Sequence, residues 1–512
     1  MSAMLNHPLP ASAPPFRTIA DLVREHARVR PKQPALIHHE RRVTWEQVDA
    51  MADRVAASLQ RDGVQPRQSI AVGGLNSLEY VAVFLGALRA GVAVAPLPTG
   101  AVPAQLATMV ADCAARHFFV DASVAHFDTA ARRIYMDGSG VPSLANWLLP
   151  HGAKPATVDV QPDWPFNIIY SSGTTGSPKG IVQPHGMRWM HVARAQGYGY
   201  GPDSVTMIAT SLCSNTTLVC AFPTIAQGGC LVFGKPKFDA RAYLELAQEV
   251  RATHTMLVPV QYSRLLALPE FDDADLSSFR MKFCTSAPFG ASLKADILKR
   301  WPGGLTEYYG MTEGGGTCIL AAHEFPDKLH TVGKPADGHD IRLIDEEGRE
   351  VPVGEIGEIV GASAAMMNGY HNQPGKTDEA TWVSPDGRRY IRTGDVGRFD
   401  ADGFLTLMDR KKDMIISGGF NIYPSDLEAV VREHPDVADV AVVGVHSNDW
   451  GETPVAFVVS RGASAEEIKA WVNAKLGKTQ RLSDVRMLDE LPRSHIGKVL
   501  KRELRDAYAG SR

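Results

Sequence analysis

The stretch YSSGTTGSPKG, residues 170–180, decides how the rest of the chain is interpreted. Apolar residues at Phe166, Ile168 and Ile169 precede it and predict the end of a buried strand. A loop that leaves a strand end can direct backbone N–H groups at anionic oxygens. Its glycines permit close approach of the backbone, while its hydroxyls and its lysine add donors and a positive charge. The stretch therefore predicts a loop that binds polyphosphate.

This loop is not a P-loop of the NTPase kind. A P-loop needs Gly-Lys followed directly by Ser or Thr, whereas Ser177 and Pro178 separate Gly176 from Lys179. A solvated turn without a ligand is the alternative for the segment taken alone. The residues expected to contact the phosphates are Ser171, Ser172, Gly173, Thr174, Thr175, Gly176 and Lys179.

Four later segments carry polar residues in a fixed order. They read EYYGMTEGGG (307–316), RYIRTGDVGRF (389–399), MDRKKDMIISGGFNIYPSDLE (408–428) and LPRSHIGKVLKREL (491–504). Together with the first loop they resemble the acyl-adenylate-forming superfamily of acyl-CoA synthetases, peptide-synthetase adenylation domains and beetle luciferases. The resemblance begins near Val43 and extends to the last helix. It implies an AMP-forming acyl-CoA synthetase that uses ATP and Mg²⁺ and takes coenzyme A as co-substrate.

The composition is typical of a globular protein with more than one domain. The chain has 512 residues, of which 44% are hydrophobic and 21% charged, with a net charge of −4. No basic block favours nucleic acid, and the six scattered cysteines suit reduced thiols in the cytoplasm. The apolar stretch 80–98 is interrupted by Arg89 and Pro96, so it is too short to span a bilayer.

Alternating helical and strand patterns predict a layered α/β fold. Residues 21–29 and 45–60 have helical spacing, whereas SIAVGG and GVAVAPL resemble buried strands. Turn-rich residues 329–361 predict a small β subdomain. The expected domains are a flexible arm over 1–15, a large AMP- and acyl-binding domain over 16–409, and a small mobile α+β domain over 410–512.

The resemblance implies roles for individual residues around the nucleotide. Asp395 is expected to accept hydrogen bonds from the ribose hydroxyls, and Tyr309 to lie against the adenine face. Thr312 is expected to bind the α-phosphate, and Glu313 to hold Mg²⁺, which prefers oxygen ligands. The other nucleotide-binding candidates are Ser286, Ala287, Pro288, Glu307, Tyr308, Gly310 and Arg410.

Lys498 is expected to promote the first half-reaction. The attacking carboxylate and the α-phosphate are both anionic, so a fixed ammonium offsets their repulsion and the charge of the transition state. In the second half-reaction the thiol of coenzyme A must enter the space that the lysine side chain occupied. The resemblance implies that the small domain rotates about Lys412 and so removes the lysine. Gly418 and Gly419 are then expected to face the pantetheine arm of coenzyme A.

The acid is less constrained than the nucleotide. Residues 212–216 contain no acidic side chain, where peptide-synthetase domains place an aspartate for the substrate ammonium, so an α-amino acid is disfavoured. Asn215, Gly314 and Gly315 are expected to line an acyl pocket with few charges, which suits an aryl or a medium- or long-chain carboxylic acid. Candidates for further contacts with coenzyme A are Trp450, Lys478 and Arg481.

Other functions stay open at this stage. Luciferase-like oxygenation and the loading of a carrier protein share the adenylation step, and a catalytically silent nucleotide-binding protein is the non-enzyme alternative. Thr312, Glu313, Asp395 and Lys498 together argue against silent binding, because binding alone needs no mobile lysine. Lys498 also matches the site that lysine acetyltransferases modify in acyl-CoA synthetases, where acetylation removes the charge. The sequence does not fix the oligomeric state, and a homodimer is one of the open states.

Replacement of Lys498 separates the two half-reactions. We expect Lys498→Ala to abolish acyl-AMP formation, because the repulsion between two anions is no longer offset, with a loss of about a hundredfold or more. Thioester formation from supplied acyl-AMP should be retained. Pyrophosphate release measures the first step and acyl-CoA formation the second. Equal losses in both assays would contradict the role of this lysine.

Overall fold

A computed structural model of the chain describes residues 14–171, 178–410, 413–417, 420–447, 450–477, 480–493 and 499–510, with the backbone alone at 409, 410, 420 and 421. The chain divides into two compact units. The large unit comprises Met1–His330, Pro335–Ile341 and Gly361–Ile391, and the small unit comprises Thr331–Lys334, Arg342–Val360 and Arg392–Arg512. The expected boundary near Lys412 stays a prediction.

The helices that the structure describes are distributed over the whole chain. They are α1 (Ile19–Val29), α2 (Trp45–Arg61), α3 (Leu78–Arg89), α4 (Pro103–Asp112), α5 (Leu144–Trp147), α6 (His185–Ala195), α7 (Asn215–Ala226), α8 (Ala240–Glu249), α9 (Pro259–Leu266), α10 (Ala291–Arg300), α11 (Pro374–Glu379), α12 (Pro424–Arg432), α13 (Ala465–Asn473) and α14 (Lys501–Gly510).

The described strands alternate with these helices through most of the chain. They are β1 (Pro34–His38), β2 (Arg41–Thr44), β3 (Ser69–Gly73), β4 (Ala93–Leu97), β5 (His117–Val120), β6 (Arg132–Tyr135), β7 (Pro165–Ser171), β8 (Lys179–Pro184), β9 (Val205–Ile208), β10 (Cys230–Phe233), β11 (His254–Leu257), β12 (Met281–Cys284), β13 (Gly304–Tyr309), β14 (Cys318–Ala321), β15 (Lys334–Pro335), β16 (Asp340–Ile344), β17 (Gly357–Ala362), β18 (Gly369–Tyr370), β19 (Thr381–Val383), β20 (Arg389–Phe399), β21 (Leu405–Arg410), β22 (Ile415–Ser417), β23 (Phe420–Ile422), β24 (Val437–Ser447), β25 (Gly451–Ser460) and β26 (Asp484–Met487).

Two sheets organise the large unit. One has the strand order β15-β14-β13-β12-β11-β9-β10-β1-β2, and the other has the order β18-β8-β7-β4-β3-β5-β6. The central strands of both are parallel, whereas β7 with β8 and β13 with β14 are antiparallel. Parallel strands covered by helices are apolar on both faces, as β3 and β4 are. The predicted mixed α/β class is confirmed.

The core of the large unit surrounds α3, the helix within the apolar stretch noted in the sequence. The rings of Phe84, Phe166 and Phe222 pack with centroids 4.8 to 5.8 Å apart. The charge that interrupts the stretch, Arg89, is buried and donates to Asp49 and Asp53, each at 2.6 Å. A buried charge is tolerated where it is paired in this way. Within the described ranges, no helix combines the length and the apolar character needed to cross a bilayer.

The small unit contains the mixture of strands and helices that the sequence predicts after residue 410. Strands β24 and β25 pair antiparallel over most of their length, and β26 joins β25 in parallel. Helices α12 and α13 contribute Leu427, Val431 and Ile468 to a core with Ile415 and Val458. Earlier in this unit, β20 and β21 pair antiparallel from Asp395 opposite Arg410 onward.

The contact of α2 with α3 depends on a glycine. A Cβ atom on Gly86 would lie 2.4 Å from Val55 Cβ and 2.9 Å from the Ala52 carbonyl oxygen. We therefore expect Gly86→Ala to destabilise the protein by about 1–3 kcal/mol, although alanine is the better helix former. Urea denaturation measures the effect. The control is Gly375→Ala in α11, where an added Cβ meets nothing within 4 Å. A urea midpoint for Gly86→Ala equal to or above that of the unsubstituted protein would contradict the packing argument.

Candidate active site

The predicted phosphate loop connects two antiparallel strands of the large unit. Ser171, the last residue of β7, lies opposite Lys179, the first residue of β8. The strand that the sequence predicts before the loop is confirmed. The loop residues from Ser172 to Gly176 lie outside the described residues, as do Lys412, Gly418, Gly419, Lys478 and Lys498. Their roles stay predictions.

A carboxylate and a lysine meet around Tyr370. Strand β18 pairs with β8, and its Tyr370 hydroxyl donates to Glu313 Oε1 at 2.8 Å. Lys179 Nζ lies 5.1 Å from the centroid of the same ring. Burial and the neighbouring Glu313 raise the pKa of Tyr370, so it remains a neutral donor. The Glu313 carboxylate is thus oriented by a phenol, as carboxylates that bind metals commonly are. No sequence pattern had indicated Tyr370.

A buried polar network connects strand β8 with the candidate site. Gln183 of β8 donates to the Thr312 carbonyl at 2.6 Å and to Asn215 Oδ1 at 3.3 Å. Its own oxygen accepts from Asn167 at 2.9 Å and from Arg188. Gln183 therefore joins the predicted α-phosphate residue Thr312 to the predicted pocket residue Asn215, which begins α7. No sequence motif indicates Gln183 as a site residue.

Arg188, on α6, is the charged member of this network. It is 1% exposed, and its guanidinium donates only to the neutral side chains of Asn167 and Gln183. Nη1 has no hydrogen-bond partner within the described part of the chain. Burial lowers the pKa of Arg188 to about 9, which leaves the side chain charged at neutral pH. The sequence predicts few charges near the pocket, so this buried cation is an addition to the predicted site.

Two hydroxyl contacts fix the turn that follows β12. The hydroxyls of Ser286 and Thr216 lie 2.6 Å apart, so the turn and the first residues of α7 are held together. Thr285 donates from its hydroxyl to the Tyr308 carbonyl at 2.8 Å. Ser286 has a φ of 78°, a conformation that non-glycine residues seldom adopt and that often occurs at functional sites. The predicted nucleotide-binding turn Ser286-Ala287-Pro288 thus lies beside Asn215.

Strand β13 points its candidate residues in different directions, because successive side chains of a strand lie on opposite faces. Glu307 is buried and forms an ion pair with Lys294 of α10. Burial raises the pKa of Glu307, and the charge of Lys294 opposes this shift. Tyr308 faces the other way, with its ring 5.6 Å from that of Phe283. The side chains of Glu307 and Tyr308 therefore have partners other than a nucleotide, and Tyr309 stays the candidate for the adenine face.

The glycines after Glu313 allow two stretches of backbone to approach closely. A Cβ on Gly314 would lie 2.0 Å from the Ala365 oxygen, and one on Gly315 would lie 2.6 Å from the Gly361 oxygen. Both glycines have positive φ, 76° and 84°. Backbone packing explains why neither position has a side chain. Their place in an acyl pocket stays a prediction.

Three aromatic rings of the large unit pack against one another. The rings of Tyr198 and Phe283 have centroids 5.2 Å apart, and Tyr198 and Tyr308 have centroids 6.2 Å apart. Tyr198 and Tyr308 are partly exposed. Burial nevertheless raises the pKa of both phenols, and that of Tyr308 strongly. Deeply placed side chains that keep accessible surface are typical of the lining of a cavity. We refer to Tyr198, Phe283 and Tyr308 as the aromatic wall.

The small unit brings together two of its predicted nucleotide residues. The backbone register of β20 and β21 places Asp395 opposite Arg410, and the Asp395 amide donates to the Thr393 hydroxyl at 3.0 Å.

Trp450 is 48% exposed, so its ring is accessible to a ligand. Arg481 is also exposed.

The described residues contain no cluster of three or more His, Cys, Asp or Glu side chains that could hold a metal by themselves. All six cysteines are buried free thiols. Burial raises the pKa of every one of them, which disfavours the reactive thiolate. The interpretation of the cysteines as structural residues agrees with this environment.

Comparison with known proteins identifies two family matches. The family described as AMP-binding enzyme matches residues 23–371, and the AMP-binding enzyme C-terminal domain matches residues 426–498. The chain is 32% identical to an indoleacetate–CoA ligase of Aromatoleum aromaticum, over 96% of this chain and 98% of that protein. It is 33% identical to a feruloyl-CoA synthase of Amycolatopsis sp, over 94% and 97%.

A solved structure resembles the whole chain as well. ATP-bound MatB from Rhodopseudomonas palustris has a TM-score of 0.86 and 29% identity, with 96% of this chain and 99% of that chain covered. The likeness therefore extends over both family matches and is not confined to one domain.

The Gln183 network can be tested by removing its centre. In Gln183→Leu the partly buried Thr312 carbonyl loses a donor and the buried Arg188 guanidinium loses an acceptor. We expect a loss of about 2–4 kcal/mol in the free energy of unfolding, since each unsatisfied buried group costs about 1–3 kcal/mol. The control is Gln60→Leu, whose side chain bonds the Ala156 backbone at the surface. Urea denaturation compares the two, and equal losses would contradict the role of the network.

Proposed function

We propose an aromatic acid as the substrate of this chain, which belongs to the AMP-binding enzyme family of the acyl-adenylate-forming superfamily and is an AMP-forming acid:CoA ligase. The ligase reaction has two steps. The acid first displaces pyrophosphate from ATP and forms an acyl-AMP. The thiol of coenzyme A then attacks the acyl carbon, with AMP as the leaving group and acyl-CoA as the product.

The aromatic wall carries this proposal. Tyr198 and Tyr308 are partly exposed rings of the large unit, and buried Phe283 packs against both of them. Aromatic rings gain about 0.5–1.5 kcal/mol from such contacts beyond the burial of their area, which an aliphatic chain does not obtain. Two of the similar proteins are named for indoleacetate and for feruloyl groups, both aromatic. Others are named for fatty acids, so a medium- or long-chain acid is the second candidate.

The first half-reaction depends on charge placement. Lys179 and the loop hydroxyls would bind the phosphates, Asp395 the ribose, and Thr312 the α-phosphate. The network through Gln183 supports this role for Thr312, since it fixes the backbone of that residue. Lys498 would approach the α-phosphate and offset the repulsion between the two anions.

Mg²⁺ is proposed as the metal. The Glu313 carboxylate, oriented by the Tyr370 hydroxyl, fits a hard cation that usually takes one or two carboxylates together with substrate phosphates. When bound, the metal would neutralise charge on the phosphate oxygens. Glu313 would hold it, and Tyr370 would keep the carboxylate in place by donating to its second oxygen.

Location and regulation are proposals too. The six buried free thiols support a reducing compartment, for which we propose the cytoplasm. Lys498 is proposed as a target of a lysine acetyltransferase, since acetylation would remove the charge that adenylation needs. A homodimer is the proposed alternative to a monomer.

An assay of acid-dependent pyrophosphate release tests the substrate proposal. We expect indole-3-acetic, cinnamic or phenylpropanoic acid to give a kcat/KM about two- to tenfold above that of octanoic or hexadecanoic acid, because aromatic contacts add about 0.5–1.5 kcal/mol to the burial of area. Addition of coenzyme A should convert the acyl-AMP to a thioester. A higher kcat/KM for the aliphatic acids would contradict the aromatic proposal. Acyl-AMP that never passes to coenzyme A would contradict the second step.

A further inference from the structure

Helix α6 carries cationic and imidazole side chains at a spacing of three residues. Arg188, His191 and Arg194 lie within about 120° of the helix circumference. The ring of His339 continues this surface, because Arg194 Nη2 lies 3.2 Å from His339 Nε2. These four residues are referred to as the cationic wall.

The cationic wall follows the backbone of the candidate site. At one end, Arg188 bonds Gln183, which donates to the Thr312 carbonyl at 2.6 Å. At the other end, His339 Nδ1 lies 3.0 Å from the Gly315 oxygen. The wall therefore runs beside residues 312–315, which contain the predicted α-phosphate contact and the predicted pocket glycines.

Within the described ranges, no carboxylate pairs with the arginines of the cationic wall. Arg188 and Arg194 make no ion pair with any carboxylate of the described residues, and their polar partners are the side chains of Asn167, Gln183 and His339. Both imidazoles are neutral: burial and the two arginines lower the pKa of His191 far below its usual value, and burial lowers that of His339 to about 4. The guanidinium charges of Arg188 and Arg194 thus have no counter-charge in the part of the chain that the structure describes.

The acidic groups nearby do not provide one. Glu324 and Asp337 influence Tyr198 at longer range, but both are exposed to solvent. Glu313 accepts from Tyr370 on β18. An unpaired buried charge costs several kcal/mol, and proteins normally pair it or use it to bind an anion.

A ligand could reach part of this wall. His191, Arg194 and His339 keep intermediate exposure, as do Tyr198 and Tyr308 of the aromatic wall. Arg194 also lies close enough to both tyrosines for its charge to lower their pKa values against the effect of burial. Arg194 therefore places a positive charge beside Tyr198 and Tyr308 of the aromatic wall.

We propose that the acid activated by this enzyme carries a second carboxylate at the end distal to the carboxyl that is adenylated, and that Arg194 binds it. This inference rests on the proposed function and narrows its substrate class. The aromatic ring would lie along Tyr198 and Tyr308. The distal carboxylate would accept hydrogen bonds from the Arg194 guanidinium, whose planar donors match carboxylate geometry.

A neutral tail would leave the charge uncompensated. An apolar group placed against Arg194 would remove water from the guanidinium without returning a hydrogen bond. The Arg194 guanidinium therefore favours acids with a distal carboxylate and disfavours acids with a neutral distal group. Specificity commonly depends on such an unfavourable contact with the wrong ligand. Arg188, at the buried end of the cationic wall, would add to the attraction because no carboxylate of the described residues pairs with it.

Matched pairs of acids test the proposal. The pairs are 4-carboxyphenylacetic and 4-methylphenylacetic acid, 4-carboxycinnamic and 4-methylcinnamic acid, and 3-(4-carboxyphenyl)propanoic and 3-(4-methylphenyl)propanoic acid. Acid-dependent pyrophosphate release gives kcat/KM for each. We expect the diacid of at least one pair to exceed its neutral partner by about tenfold or more, the usual value of a hydrogen bond between charged groups.

Arg194→Met should lower this ratio by about tenfold or more, mainly through a higher KM for the diacid, and Arg194→Lys should restore part of it. The control is Arg24→Met on α1, where the side chain is 51% exposed and the ratio should not change. Thermal unfolding of each variant shows whether it is folded, and Arg194→Lys provides the test should Arg194→Met not fold.

The outcomes separate this inference from the proposed function. Faster turnover of the neutral acid in every pair would overturn the distal carboxylate and leave the ligase activity intact. An unchanged ratio in folded Arg194→Met would overturn the role of Arg194. If no acid of any kind released pyrophosphate, the proposed function itself would be wrong, and this inference with it.

Discussion

The antiparallel pairing of β7 with β8 is the constraint on which the candidate site depends. It returns the chain after the phosphate loop, so that Lys179 lies opposite Ser171. It also places Gln183 where it reaches Thr312 and Asn215. Because β18 adds to the same strand, Tyr370 arrives beside Glu313. Ser171 and Lys179 thus belong to this strand pair, and side chains of β8 and β18 contact Thr312, Asn215 and Glu313.

Electrostatics distinguish this site from an apolar pocket. A guanidinium that is 1% exposed and has only neutral acceptors is costly to bury, and the fold compensates part of this cost with carboxamide oxygens. Elsewhere in the same unit, buried Arg89 has two aspartates and Lys294 has Glu307. Among the described residues, Arg188 thus lacks the carboxylate partner that Arg89 and Lys294 have, and it has carboxamide oxygens as acceptors instead.

Sequence reasoning was most accurate where a motif has a single physical meaning. The alternation of buried strands and amphipathic helices predicted the α/β class, and the ordered motifs predicted an acid:CoA ligase, as the family matches confirm. It did not reveal how individual side chains within a motif pack. Glu307 forms an ion pair with Lys294 and Tyr308 packs against Phe283, because consecutive residues of a strand lie on opposite faces, and the nucleotide contacts of both residues stay predictions.

The sequence by itself determined the fold class, the family and the order of the catalytic motifs, since periodicity and motif spacing are local properties of the chain. Only the tertiary structure decided that Tyr370 orients Glu313, that Gln183 holds Thr312, and that α6 lines the site with Arg188 and Arg194. Such contacts join residues 57 and 129 positions apart, and no local pattern encodes them. They arise because sheet pairing and helix packing bring distant side chains into hydrogen-bond range.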